Sequence, residues 1–128
     1  MKYSPEKVNA ILALPAPKRY SHFVKVAADQ NCVWSLYADG WALMETDEGE
    51  RVLPIWPAEP YAALFVTGNW GSYSPRSIAM NDFLSELMPS LRESKTLLGV
   101  FPTLGDKGVV MDPEAVALDL QHELKRYE

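Results

Sequence analysis

Apolar side chains recur at helical spacing near both ends of this chain and again past its middle, and between those stretches the pattern turns extended. Ser4-Pro5-Glu6 supplies a cap, a first-turn proline and an acid at the positive end of the dipole. Val8, Ile11 and Leu12 then form an apolar face, and Pro15 ends that helix. A second helix is expected from about Pro17 to Gln30, where Tyr20, Phe23, Val24 and Ala27 make a buried stripe. Asn31 suits the left-handed residue that closes it. Asn81 is the expected cap of a later helix with Phe83, Leu84, Leu87, Met88 and Leu91 inward, kinked or ended by Pro89. Asp112-Pro113-Glu114 starts the last one, which carries Val116, Leu120 and Leu124.

The extended stretches read as strands. Cys32 to Tyr37 is rich in strand formers, Asp39-Gly40 is a tight-turn signal, and Trp41 to Glu45 is the expected return strand. A second turn, Thr46 to Gly49, leads to Arg51 to Trp56, so a three-stranded antiparallel meander is expected. Pro54 cannot donate to a ladder, which places its strand on an edge or at a bulge. Pro60 opens a short helix with Tyr61, Leu64 and Phe65 inward, closed by Gly68. A glycine-flanked aromatic loop, Asn69 to Tyr73, precedes a short strand from Arg76 to Met80. Leu97 to Phe101 is an unbroken apolar run, as in a central strand, and Leu104 to Gly108 turns into Val109 to Met111. The order α-α-β-β-β-α-β-α-β-β-α implies an α+β class, helices packed on a mostly antiparallel or mixed sheet of about five to six strands. With no repeat and no linker, residues 1–128 are expected to form a single domain.

Charge changes the picture more than composition does. All four tryptophans, Trp34, Trp41, Trp56 and Trp70, fall between Asn31 and Pro75, a stretch with one base, Arg51, and six acids. That stretch carries the whole net charge of −5. An acidic, aromatic block is a candidate binding face, because tryptophan is common where one side is dry and the other in use. Bases are scattered. Lys18-Arg19 and Lys125-Arg126 sit on predicted helices and read as solvated surface, so no nucleic-acid partner is expected. The longest apolar run, Tyr61 to Val66, is too short for a membrane span, and no membrane partner is expected. A lone cysteine, Cys32, and no apolar leader point to a cytoplasmic protein.

Candidate chemistry is sparse. His22, His122 and Cys32 lack the spacing of a metal site, and Asp47, Glu48 and Glu50 lack that of a calcium loop, so neither a metal nor a cofactor is expected. Gly105-Asp106-Lys107-Gly108 lacks the spacing of a phosphate loop, and Ser72, Ser74 and Ser77 lack a nucleophile elbow. Cys32 has no base brought to it by sequence, and it reads as a small core residue. The best carboxylate pair for acid–base work is Glu45 with Glu59, although an acid at a helix start also serves the dipole. Trp34, Trp41 and Trp56 fit either sheet core or a binding face, while Trp70 lies in a polar loop outside any periodic pattern.

Leu36-Tyr37, Gly40-Trp41-Ala42-Leu43, and above all Val52-Leu53-Pro54-Ile55-Trp56-Pro57 with Tyr61-Ala62 resemble a bacterial family catalogued as "domain of unknown function 2750". Asp82-Phe83-Leu84, Phe101-Pro102-Thr103 and Lys107-Gly108-Val109-Val110 extend the resemblance over nearly the whole chain. The family implies no activity, cofactor or catalytic residue. The strand Leu53 to Trp56 and its following helix are also faintly similar to a unit of type III secretion enhancer domains, a likeness of fold alone. The function expected is therefore a non-catalytic binding or protein-interaction module. Its candidate face is Trp56, Trp70, Tyr73, Glu59 and Trp41, and its expected partner a basic protein, with a homodimer through an edge strand as a further arrangement. The competing reading is an enzyme that binds a small molecule or carbohydrate in a Trp/Glu pocket.

Overall fold

The structure is a computed structural model that describes residues 3–127. In chain order the elements are α1 (Pro5–Leu12), α2 (Ala16–Gln30), β1 (Cys32–Tyr37), β2 (Met44–Glu45), β3 (Arg51–Ile55), α3 (Glu59–Ala63), β4 (Ser74–Ala79), α4 (Met80–Asp82), a π-helical turn (Phe83–Leu87), α5 (Met88–Ser94), β5 (Leu97–Val100), β6 (Val109–Met111) and α6 (Pro113–Leu124). With α4, the π turn and α5 taken as one helix, this is the expected α+β order.

The helix ends follow their capping residues. The Ser4 hydroxyl accepts the Lys7 N–H at 3.2 Å, and the Asp112 carboxylate accepts the Glu114 N–H at 2.9 Å. Asn31 closes α2 at φ 59°. α2 buries Phe23, Val24, Ala27 and Ala28 and packs against α6, which buries Val116 and Leu120. The Tyr20 hydroxyl donates to Asp119 across that contact. Burial, that hydrogen bond and the Asp119 charge together push the phenol's pKa far up.

The strands pair differently from a meander. β1 pairs antiparallel with β4, Cys32 opposite Ala79 and Tyr37 opposite Ser74. The other sheet has the order β2-β3-β5-β6, with β3 and β5 parallel and the outer pairs antiparallel. The Asp39-Gly40 turn does form, with Asp39 at φ 59°, but its hairpin stops after the single bridge Tyr37–Trp41. The chain then leaves β1, and β2 is two residues long and pairs only with β3.

Pro54 is buried and does not lie on a free edge. The Ile55 carbonyl accepts the Phe101 N–H at 2.8 Å, so Ile55 directs its backbone groups toward β5, and Pro54, one residue earlier, directs its own to the opposite side. On that side β2 has ended at Val52, and β1 is met again only at Trp56, whose N–H and carbonyl bond Trp34 at 2.8 and 2.9 Å. The missing donor falls in this gap. The Ser35 hydroxyl fills it from β1 by donating to the Pro54 carbonyl at 2.6 Å. The two sheets thus meet at the Trp34–Trp56 bridge, and β3, expected on an edge or at a bulge, lies inside its sheet.

Three further expectations change. Asn81 does not cap its helix: Ala79 holds the cap position without a side-chain bond. Leu64 is 40% exposed rather than on the inner face of α3. Arg19 is 3% exposed, not solvated, with Nε donating to the Phe101 carbonyl (3.2 Å), one terminal nitrogen to the Leu14 carbonyl (2.5 Å) and the other to the Asp106 carboxylate (2.9 Å). It clamps the β5–β6 connection where Phe101 takes the left-handed conformation, φ 57°, rare for a bulky residue. Gly108 (φ 77°) completes that turn, because a Cβ there would lie 2.4 Å from the Val100 carbonyl oxygen.

Candidate functional site

The five residues expected to form a face separate. Trp56 is 0% exposed, its indole Nε1 donating to the Pro102 carbonyl at 2.9 Å, so it is core and offers no surface to a partner. From it a file of rings runs outward: Phe65 (5.0 Å between centroids), then Trp70 (6.1 Å), then Tyr73 (6.3 Å). Trp70 and Tyr73 are half-buried at the outer end of this file. Glu59 is exposed as the first residue of α3, the position that favours an acid on dipole grounds alone. The acidic turn Asp47 to Glu50 precedes β3 and Trp56 follows it, about 16 Å apart along the strand. Asp47 there lies 3.9 Å from Lys107, an exposed pair of little energetic weight.

Trp41 stands elsewhere, in a groove of about 370 Å³ between β4 and the long helix, bounded by Trp41, Arg76, Ile78, Asp82, Glu86 and Ser90. One wall is aromatic and cationic. The bridge at Tyr37 sets the Trp41 and Tyr37 rings edge to face at 4.9 Å and 77°. Arg76, opposite Ser35 in the β1–β4 register and so diagonal to Tyr37, lays its guanidinium 4.2 Å from the centre of the Tyr37 ring. The facing wall is acidic: Asp82 from α4, Glu86 from the π turn and Ser90 from α5 follow one another at four-residue spacing along one helix.

The π turn has a local cause. Pro89 lacks an N–H, and its ring collides with the carbonyl four residues earlier in a regular helix. Widening the helix over Phe83–Leu87 absorbs this conflict without ending it, so α5 continues to Ser94 and closes on Lys95 at φ 58°. Such turns recur at functional sites because they re-aim side chains, and this one carries Glu86 and Leu87 into the groove.

The groove can hold a ligand between an aromatic plate and two carboxylates, with Arg76 fixing one end. Neither Glu45 nor Glu59 lines it, so the carboxylate pair read from sequence is replaced by Asp82 and Glu86. The sequence did carry a signal for them. Asp82, Glu86 and Ser90 form the polar stripe opposite the apolar one, and a proline stands inside the same run. Arg76 had no local signal, since only the β1–β4 pairing brings it to Tyr37. The Cys32 thiol is pushed up by burial, the wrong direction for a nucleophile. Among the described residues no three His, Cys, Asp or Glu side chains gather into a metal ligand set. No helix among the described residues is long and apolar enough to cross a membrane.

No curated protein and no solved structure matches this chain, so the likeness to type III secretion enhancer domains has no support from them. The family described as "Protein of unknown function (DUF2750)" matches residues 20–120, from the second turn of α2 to the last buried leucine of α6 and including the whole groove, and the chain belongs to that family.

Proposed function

We propose that this domain is a non-catalytic binding module that takes a basic segment of a partner protein in the Trp41 groove. The observation that carries the reading is the pairing of an aromatic plate, Trp41 on Tyr37, with the carboxylates of Asp82 and Glu86 across one concave surface. A lysine or arginine side chain fits such a site twice, by its charge and by its apolar stem against an indole. Arg76, stacked on Tyr37, stands ready for a carbonyl or carboxylate of the same segment. Trp70 and Tyr73 supply further half-exposed aromatic area in this reading, and Trp56 supports them from the core.

The test is capture from a native lysate by the wild-type protein, by Trp41→Ala and by Asp82→Asn/Glu86→Gln. Specific prey should be lost with either variant and should fall off between about 0.05 and 0.5 M salt, as rim charges are screened over about 10 Å at 0.1 M. Prey retained by both folded variants would remove the groove from the interaction. A second reading, a carbohydrate-binding enzyme, draws on the same meeting of a tryptophan with two carboxylates. Turnover of aryl glycosides that is abolished by Glu86→Gln would establish it in place of the first.

A further inference from the structure

On the far side of α2 from its contact with α6, the chain leaves a second concavity of about 380 Å³, within the size range of small-molecule sites. It lies under α1, which buries none of its residues fully and packs Val8, Ile11 and Leu12 against the core. Its walls are Tyr3 and Ile11 on one side, Val26 on α2 and Tyr61 on α3. Among the described residues the ionisable groups that reach it are Lys7, His22 and the two tyrosines, and no carboxylate lines it.

Three features distinguish this concavity, which carries Lys7 and Ala10 exposed at its rim. The Lys7 ammonium enters no ion pair among the described residues. His22 makes no hydrogen bond among them either, its ring resting 6.3 Å from that of Phe101. Phe101, whose left-handed backbone is held by Arg19 and by the close approach of Gly108, is driven against Tyr61 at 4.8 Å, so backbone strain is concentrated directly behind the cavity wall. Burial, then the Lys25 charge, pushes the His22 imidazole down from its ordinary value, and burial, then Tyr3, pushes the Tyr61 phenol up. The cavity therefore offers donors and one cation around an apolar body.

We propose that the cavity between α1, α2 and α3 binds a small amphipathic monocarboxylate, an aryl- or short alkyl-chain acid. Its apolar part lies between Ile11, Val26 and Tyr61 and its carboxylate on Lys7 and His22. A cation would meet Lys7 with nothing to offset it, and a neutral apolar molecule would leave the donors facing it without acceptors. This site is independent of the Trp41 groove, and its failure would leave that reading untouched.

The test is a methyl NMR titration of the intact protein with 3-phenylpropanoate and hexanoate, each beside its neutral amide. The acids should shift the Ala10, Ile11 and Val26 methyls saturably. The amides should bind at least about tenfold more weakly, as should the acids to Lys7→Gln, the scale of one charge-assisted contact. Ala10→Trp, at an exposed position on the cavity rim, should abolish the shifts while the thermal melt stays cooperative, and Ala10→Gln replaces it if the tryptophan unfolds α1. Absence of saturable shifts with both acids, amides that bind as well as acids, or shifts confined to Ile78 and Leu87 of the other groove would each overturn the proposal.

Discussion

Arg19 divides its guanidinium among three oxygens of two segments: Leu14 after α1, and Phe101 and Asp106 in the β5–β6 connection. The pairing with Asp106 is one-sided, since Arg19 is 3% and Asp106 45% exposed. Most of the value of Arg19 therefore lies in its carbonyl partners, the Phe101 bond buried and the Leu14 bond part-buried. Arg19→Ala should cost about 3 kcal/mol in urea unfolding, by stranding those carbonyls and freeing the strained Phe101 turn. Arg19→Lys should recover only part of it, because an ammonium cannot span the fork. Asp106→Asn should cost well under that, as expected of a half-exposed acid. Its pH dependence follows from the sign of the shift. The Arg19 hydrogen bond, then the Gly108 N–H, hold the Asp106 carboxyl below its ordinary value, so its contribution is complete above the unfolded-state pKa, about 3.9, and is lost as pH falls through the lower folded value. The stability gap between wild type and Asp106→Asn should be flat from about pH 7 to 5 and close below about pH 4. A gap that widened toward acid would contradict the assignment. Its charge marked Arg19 as solvated although it stands on the same face of α2 as Phe23 and Ala27, because two of its partners are 82 and 87 residues away.

At the scale of elements, boundaries set by local chemistry were legible and pairings set by distant residues were not. Ser4, Asn31 and Asp112 mark helix ends through bonds to neighbours a few residues off, and the structure keeps each. The Asp39-Gly40 turn was equally local, and it forms. The fate of the return strand is decided by β3: Trp56, the residue after it, bonds both backbone groups of Trp34 on the same side of β1 that the Leu36 carbonyl uses to accept the Ala42 N–H. Trp41 is left as a single bridge, and this is what frees its indole for the groove. The π turn belongs to the same class. Pro89 announced a disturbance but not its form, since a kink, an end and a widened turn all relieve the same collision. If the turn is in effect a one-residue insertion, deletion of Ser85, which is exposed and donates its hydroxyl to the Asn81 carbonyl at 2.7 Å, combined with Pro89→Ala to remove the collision, should restore α-helix while Met88 and Leu91 keep their places in the core. The melting temperature should stay within about 4 °C of wild type, equivalent to roughly 1 kcal/mol for a chain of this size. Glu86 should turn away from Trp41 and groove binding should fall with it. A deletion variant that unfolds would show that the π turn is required by the core rather than by the groove.

For the whole molecule the question is how two sheets make one core. Among the described residues β1 is hydrogen-bonded to the other sheet through the Trp34–Trp56 bridge and the bond from Ser35 to Pro54, and Val33, Leu36 and Ile78 share one apolar cluster with Leu53, Leu98 and Phe101. The α+β class was readable because burial periodicity survives any pairing scheme. The site was not, because it is assembled from residues 41, 76–78 and 82–90 by the β1–β4 pairing and the helix after it. Charge segregation misled in one respect, since the acids that matter to the groove, Asp82 and Glu86, lie outside the acidic block. Ser35 tests the junction directly. Its side chain is 0% exposed, and its hydroxyl stands in for the ladder contact absent at Pro54. Ser35→Ala leaves a buried carbonyl unpaired and should cost about 1–3 kcal/mol, whereas Ser35→Val should cost more because its extra methyl enters a closed junction. In both variants tryptophan fluorescence and far-UV circular dichroism should report one shared transition, because the common apolar cluster, not the thin hydrogen-bonded seam, couples the sheets. Two separated transitions, with the β1–β4 pair melting first, would mean that the seam holds the halves together and that the groove, which needs both Tyr37 and Arg76 in register, opens before the molecule unfolds.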